Sequence, residues 1–286
     1  MNIIEIIKAI ILGIVEGLTE FAPVSSTGHM VIVDDMWLQS KEFLGSKYVA
    51  NTFKVVIQLG SILAVVIIFR WRFVQLLGLD RWIKKSGSIG DAAHKVYATG
   101  RLKLTHVIIG LIPAAVLGLL FEDYIDEHLF TTKTVLFGLI IGAFFMILAD
   151  LFRPKTPVAE SVDQITYKQA LTVGFIQCFS LWPGFSRSGS TISGGVLLGM
   201  SHRAAADFTF IMAVPIMCGA SFISLVKNLE YFTMDALPFF VTGFISAFVF
   251  ALISIRYFLK MIDRIKLIPF AIYRIVLALV VIVVYF

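Results

Sequence analysis

The chain has 286 residues, of which 58% are apolar and only 15% charged, and its mean hydropathy is +0.91. A soluble globular domain carries about 25% charge, so the composition excludes an ordinary soluble fold and points to a helical protein of the bilayer. The net charge is +5. No basic patch interleaved with aromatics marks a nucleic-acid surface, so the excess reads as membrane orientation.

The first stretch, 1–33, is apolar but broken in its middle by Pro, Gly, Ser and charge. It does not read as a cleavable signal peptide, because Lys8 interrupts the apolar run and Glu16 and Glu20 follow. A span is expected at 52–69, with Lys54 and Arg70 snorkelling at its ends. Next comes a basic loop, 70–103, then a span at 104–120 and an acidic loop, 121–133. A third span at 134–151 leads to a basic loop, 153–168, and to a second broken stretch, 169–200. Spans at 207–226, 236–255 and 267–286 complete the chain, separated by a loop at 227–235 and a basic loop at 256–266. Runs 104–121, 208–226 and 236–255 contain no Asp, Glu, Lys or Arg, and about 18 such residues suffice to cross the hydrocarbon core.

The positive-inside rule puts the basic loops in the cytoplasm and loops 121–133 and 227–235 outside, with both termini outside. Six crossings then alternate, and each broken stretch must enter and leave on one face. That makes the two stretches candidate re-entrant hairpins, with ordinary kinked spans as the alternative. The expected fold is an all-α polytopic membrane protein of six transmembrane helices plus two re-entrant hairpins.

The broken stretches also match each other. GIVEGLTEFAPVSSTGH from Gly13 aligns with GFIQCFSLWPGFSRSGS from Gly174, pairing Glu16 with Gln177, Ser25 with Ser186 and Gly28 with Gly189. An odd number of spans between the copies inverts the second. The chain then reads as a single membrane domain, 1–286, of two inverted repeats, about 1–151 and 169–286. In such folds binding sites sit near mid-membrane.

Charge at that depth marks function by default. Glu16 and Glu20 share one helix face and repel unless a metal ion, a cation or a proton lies between them. Pro23 follows, then Ser25, Ser26, Thr27, Gly28 and His29. The second stretch supplies Arg187 among Ser186, Ser188, Ser190 and Thr191, after the Pro183–Gly184 break. A guanidinium fork suits phosphate, although the two carboxylates also suit Arg187 as structural partners. Carboxylate pair, hydroxyls, His and Arg together fit metal-assisted phosphate hydrolysis. His106 reads as a satisfied helix residue, and His94, His128 and His202 as loop residues. Arg274 reads either as a second anion contact or as a packing or snorkelling residue. Cys178 and Cys218 read as small buried apolar residues.

EGLTEFAPVSSTGH at 16–29 and PGFSRSGSTISGG at 183–195, with VIQLGSILAVV at 56–66 and IPFAIYR at 268–274, resemble the bacterial undecaprenyl-diphosphate phosphatases linked to bacitracin resistance. The resemblance covers essentially the whole chain. It implies hydrolysis of undecaprenyl diphosphate, and of other isoprenyl diphosphates, to the monophosphate and inorganic phosphate, for cell-wall synthesis. It also implies a divalent cation (Mg²⁺ or Ca²⁺), the bacterial cytoplasmic membrane and a site opening to the outer face. Carried over by motif, the functional residues are Glu16, Glu20, Ser26, His29, Ser186, Arg187 and Thr191. The expected roles put Glu20, Ser26, His29 and Arg187 in catalysis and Glu16 with Glu20 on the metal. Ser25, Thr27, Ser186, Ser188 and Thr191 are expected to bind the diphosphate. Ser26, His29 and water all remain open as nucleophile. A lipid-phosphate carrier is the rival reading, and a homodimer is left open.

Overall fold

The computed structural model describes residues 3–44, 47–79, 102–227 and 234–285, and among these every extended element is helical. Helix α1 (Ile3–Thr19) is followed by α2 (Ser26–Met30), a π-helical stretch (Val31–Leu38) and α3 (Ser40–Phe43). Then come α4 (Lys47–Ile68), α5 (Arg70–Leu76), α6 (Leu104–Leu120), α7 (Glu122–His128) and α8 (Thr132–Phe152). The second half holds α9 (Tyr167–Gln177), α10 (Arg187–Leu197), α11 (His202–Lys227), α12 (Leu237–Ile265) and α13 (Ile268–Tyr285). Four of these are long and apolar enough to cross a membrane: Val49–Ile68 of α4, α8, α11 and α12. Leu104–Leu120 and Ile268–Val284 are shorter apolar helices. The molecule is an all-α, multi-pass membrane protein.

Several expectations are corrected. The stretch 256–266 is no loop: α12 continues to Ile265. Nothing between Ile255 and Lys266 breaks a helix. Arg256, Lys260 and Arg264, four apart, lie exposed while Ile255, Leu259 and Ile262 face the core. Lys54 does not snorkel; it turns inward to the buried carboxylate of Asp34, at 2.7 Å. Ser40 closes the same carboxylate with its N–H at 2.8 Å and its hydroxyl at 2.7 Å. His202 opens α11, buried, instead of lying in a loop. Both cysteines are free, but Cys178 is only half-buried and Cys218 is exposed. Most of the basic loop, residues 80–101 with His94, lies outside the described residues.

Small residues set the packing. Gly13 and Gly17 form a GxxxG stripe on α1 that meets Gly243, Ala247 and Ala251 on α12, also four apart. A Cβ on Gly13 would fall 2.4 Å from the Gly243 carbonyl oxygen. Without water to drive helices together, such backbone contact is a main source of association in a membrane. In the second half Gly174 of α9 lies equally close to Gly110 of α6: an added Cβ would sit 2.5 Å from the Gly110 oxygen. The first helix of each half therefore packs on a helix of the other half, α1 on α12 and α9 on α6.

Each broken stretch doubles back on itself. Lys8 Nζ reaches the Leu38 carbonyl at 2.9 Å, tying α1 to the end of the π-helical stretch that follows the first break. Gln169 Nε2 reaches the Leu198 carbonyl at 3.0 Å in the second. Between the elements, ion pairs group the connections in the way their charge suggests. Arg72 forks onto Asp163 at 2.8 and 2.7 Å, joining the start of 70–103 to loop 153–168. Lys227 meets Glu122 at 2.7 Å, joining loop 227–235 to loop 121–133.

Candidate active site

The first break forms where α1 runs out. Pro23 has no N–H to continue the helix, and Phe21 is fully buried, edge-on to Phe210 at 5.0 Å. Ser25 then adopts φ 71°, a strained region for a residue with a Cβ, and its hydroxyl accepts the Gly28 N–H at 3.3 Å to start α2. This turn brings Ser26 back over the end of α1, where its hydroxyl donates to Glu20 Oε2. The other Glu20 oxygen accepts Arg187 Nη2 at 2.9 Å. One carboxylate thus joins the two broken stretches.

The second break has the same local plan. Gly184 takes φ 91°, where an added Cβ would lie 2.2 Å from the Val135 oxygen. Ser186 takes φ 78° and accepts the Gly189 N–H at 3.1 Å, starting α10 with Arg187 as its first residue. Trp182 Nε1 anchors the turn to the Thr134 carbonyl at 2.9 Å. The guanidinium carbon of Arg187 lies 6.0 Å from the Phe21 ring centre. Its Nη1 is buried and has no hydrogen-bond partner among the described residues.

The break packs against the middle of α8, a helix long and apolar enough to cross a membrane. Its carbonyls at Gly184 and Phe185 face Gly138 and Gly142, in the body of the 21-residue α8. What holds it there is Arg274, fully buried. Its Nη2 donates to the carbonyls of Gly184 (2.8 Å), Phe185 (2.9 Å) and Gly138 (3.2 Å). Of the two readings open for Arg274, the structure gives packing. A span whose only charge is an Arg was the available signal; the carbonyl cluster it meets could not be read from sequence.

The expected site residues separate into groups. Glu20, Ser26 and Arg187 are in direct contact. Glu16 is buried one turn below, under the charges of Glu20 and Arg187, and its Oε1 has no hydrogen-bond partner among the described residues. Ser25 and Ser186 cap helices, and Thr27 lies half-buried on α2. Ser188 donates to the Ala22 carbonyl at 3.1 Å, bracing one break against the other. Thr191 donates to the Arg187 carbonyl at 2.8 Å and accepts from Thr209 at 2.8 Å.

His29 faces a partner the sequence did not reveal. Its Nδ1 is 2.8 Å from the Ser25 carbonyl oxygen and its Nε2 is 2.7 Å from the Tyr273 hydroxyl. A carbonyl only accepts, so Nδ1 carries the proton, and in the neutral ring Nε2 accepts from Tyr273. His106 is satisfied as expected: Nδ1 accepts the Lys103 N–H at 3.2 Å and the ring stacks on Tyr167 at 3.9 Å.

Among the described residues no group of three or more His, Cys, Asp or Glu could hold a metal ion. The open Oε1 of Glu16 beside Glu20 fits a cation of the Mg²⁺ type, which uses one or two carboxylates and completes its shell with water and phosphate oxygens.

Residues 9–280 match the family model described as "Bacitracin resistance protein BacA". The chain belongs to that family. Members named undecaprenyl-diphosphatase include one from Geobacillus sp. (strain WCH70), 73% identical over 286 residues and 100% of both chains. Another, from Anoxybacillus flavithermus, is 69% identical over the same full span. A third, from Bacillus subtilis, is 59% identical over 280 residues and 98% of each chain. At such identity the BacA family fold extends over the whole chain, with both broken stretches inside it.

Proposed function

We propose that this protein hydrolyses undecaprenyl diphosphate to undecaprenyl phosphate and inorganic phosphate, returning the lipid carrier to cell-wall synthesis. The observation that carries this reading is Glu20, which accepts the Ser26 hydroxyl on one oxygen and Arg187 on the other. A carrier of lipid phosphate would use the Arg but has little use for a hydroxyl held on a carboxylate. The relatives named undecaprenyl-diphosphatase point the same way.

In the mechanism, the free Nη1 of Arg187 takes up oxygens of the diphosphate. Ser26 Oγ attacks the terminal phosphorus as Glu20 accepts its proton. The bond from that phosphorus to the bridging oxygen breaks, and isoprenyl phosphate leaves with the bond's electrons. Water then attacks the phosphoserine, the Ser26–phosphorus bond breaks as Glu20 returns its proton to Ser26 Oγ, and the water's protons leave with the inorganic phosphate. A divalent cation, when bound by Glu16 and Glu20, supplies Lewis-acid neutralisation of phosphate charge. His29, with both ring nitrogens engaged, orients α2 through Ser25 and Tyr273.

The same reading takes six spans and two re-entrant stretches in inverted repeats. The ties at Lys8–Leu38 and Gln169–Leu198, and the matched caps at Ser25 and Ser186, support it. The basic connections face the cytoplasm and the site opens outward, with both termini outside. Cysteine at 125 should then react with an impermeant thiol reagent on intact cells, and cysteine at 155 should not; the reverse pattern inverts the topology. The activity itself is tested by phosphate release from undecaprenyl diphosphate by purified protein, with and without chelator. Ser26→Ala should abolish release while a non-hydrolysable analogue still binds. Full release by Ser26→Ala would hand the attack to His29 or water. Lipid phosphate moved between leaflets with no release would make the protein a carrier.

A further inference from the structure

We infer that the protein carries a second phosphate-binding site, for the headgroup of an anionic phospholipid, at the basic end of the molecule. A cavity of about 170 Å³ opens there, lined by Arg153, Pro154, Pro157, Ser201, His202, Asp263 and Lys266 among others. From Gly138, beside the second break, to Asp150 is twelve helical residues, roughly 18 Å at 1.5 Å each. The cavity is therefore distinct from the Glu20–Arg187 site.

The charges around it are unequal. Neither Arg153 nor Lys266 has an ion pair or a side-chain hydrogen bond among the described residues. Of the negative groups nearby, Asp263 lines the cavity against the two cations and Asp150 lies behind it, each hydrogen-bonded by N–H groups. Asp263 Oδ1 accepts the Arg203 N–H at 3.0 Å. Asp150, behind His202, accepts its Nε2 at 2.6 Å and the N–H groups of Leu267 (2.7 Å) and Ile268 (3.0 Å). That carboxylate holds the His202 ring and the start of α13 as a rigid wall. A planar guanidinium and an ammonium sharing one cavity suit the tetrahedral oxygens of a phosphate.

An independent observation concerns Lys266. Its backbone lies at φ 61°, ψ −154°, a region occupied essentially by glycine alone. A lysine there strains the chain where glycine would relieve it, which has a reason if the ammonium is needed in the cavity. The apolar surface beside Arg153 indicates where the ligand's tails lie: Leu151, Phe152 and Val158, close in the chain to the lining residues Arg153 and Pro157, are all exposed. A headgroup phosphate in the cavity would leave acyl chains along the last turn of α8, and basic groups at a membrane face attract anionic lipid in general.

The test is thermal unfolding of the full chain in nanodiscs of phosphatidylcholine, of phosphatidylcholine with phosphatidylglycerol, and of phosphatidylcholine with added inorganic phosphate. Ligand binding to the folded state raises the midpoint. The unmutated chain should gain stability with phosphatidylglycerol. Arg153→Gln and Lys266→Gly should lose most of that gain, while Lys260→Gln, exposed on α12 outside the cavity, should keep it. Lys266→Gly should also unfold at a higher temperature than the unmutated chain in pure phosphatidylcholine, which shows that it folds and that the strain was real. A gain with inorganic phosphate that the same two variants lose supports the site, with free phosphate as a ligand. No gain with either addition, or a gain that survives in both variants, overturns the proposal.

Discussion

The two broken stretches share a scaffold and divide the chemistry. Each turns through a serine at positive φ, Ser25 or Ser186, whose hydroxyl caps the next helix on a glycine three residues on. Beyond that they differ. In the first, Ser26 points its hydroxyl at a carboxylate, where it can react. In the second, the hydroxyls of Ser188, Ser190 and Thr191 donate to backbone carbonyls at 3.1, 2.9 and 2.8 Å. A hydroxyl that satisfies a carbonyl in a water-poor interior is structural, because withdrawing it leaves a polar group unpaired. On the proposed mechanism the second stretch is therefore a rigid mount that presents one cation, and the first holds the groups that act. Positions 16 and 177 show the divergence most directly. Glu16 and Gln177 align, both are buried, and each leaves one polar atom without a partner among the described residues. Only the carboxylate suits a cation.

The comparison breaks most severely at Glu20, whose carboxylate accepts Ser26 of the first stretch on one oxygen and Arg187 of the second on the other. Glu20→Gln should remove the proton acceptor of Ser26 and half of the ion pair to Arg187. A lost general base is worth roughly 10²–10⁴ in rate, so phosphate release should fall by about 10³ or more. Glu16→Gln, which leaves both contacts intact, should cost distinctly less. Near-wild-type release in both variants would remove the carboxylate pair from the mechanism. Arg187→Lys comes next. A lysine gives a point charge where the fork bridges Glu20 and an incoming anion, and losing one such contact costs about 2–4 kcal/mol in the transition state. Undiminished kcat in that variant would show that the fork is dispensable.

Much of this was legible in the sequence, for physical reasons. Bilayer thickness fixes the length of an apolar run, so the six apolar helices could be placed from scarcity of charge alone. The breaks at Pro23 and Gly184 follow from backbone chemistry, and Glu16, Glu20 and Arg187 are conspicuous because charge inside such runs is costly. What could not be read was which long-range partner each polar group takes. Tyr273 against His29 spans 244 residues and Arg274 against Gly138 spans 136. Neither pairing leaves a local pattern. Clustered charge at 256–265 suggests a loop, yet a helix can carry charge on one exposed face, and α12 runs through it to Ile265. The partner of Lys54, Asp34, lies on a different element and leaves no sign in the local sequence.

Arg274 tests the mount without touching the reactive stretch. Arg274→Met keeps an apolar side chain of similar reach but leaves the Gly184 and Phe185 carbonyls without their donor. Each buried unsatisfied group costs about 1–3 kcal/mol, so the variant should be destabilised by roughly 2–5 kcal/mol, seen as a lower midpoint of thermal unfolding. Release should fall through misplacement of Arg187, and Arg274→Lys should recover part of the stability because an ammonium still donates to one or two carbonyls. A Met variant as stable as the unmutated chain would mean the break holds its shape without the clamp.

The smallest expected effect is at Thr191, and it separates a binding hydroxyl from a structural one. Family resemblance gives Thr191 to the diphosphate, whereas its hydroxyl here lies between the Arg187 carbonyl and Thr209 Oγ1, only 1% exposed. Thr191→Val leaves the Thr209 hydroxyl without its acceptor, a cost of about 1–3 kcal/mol in stability. The Arg187 carbonyl is less affected, since a helical N–H four residues on still reaches it. Removing both partners should be nearly neutral, so Thr191→Val with Thr209→Val should regain most of the lost stability, and its rate of release should stay within a few-fold of the unmutated chain. If Thr191 instead binds the transition state directly, the double variant will recover stability but not activity, and kcat/KM will remain down by about 10²-fold or more. Thermal unfolding and phosphate release on the same three variants therefore decide whether the second stretch offers the substrate any contact besides Arg187.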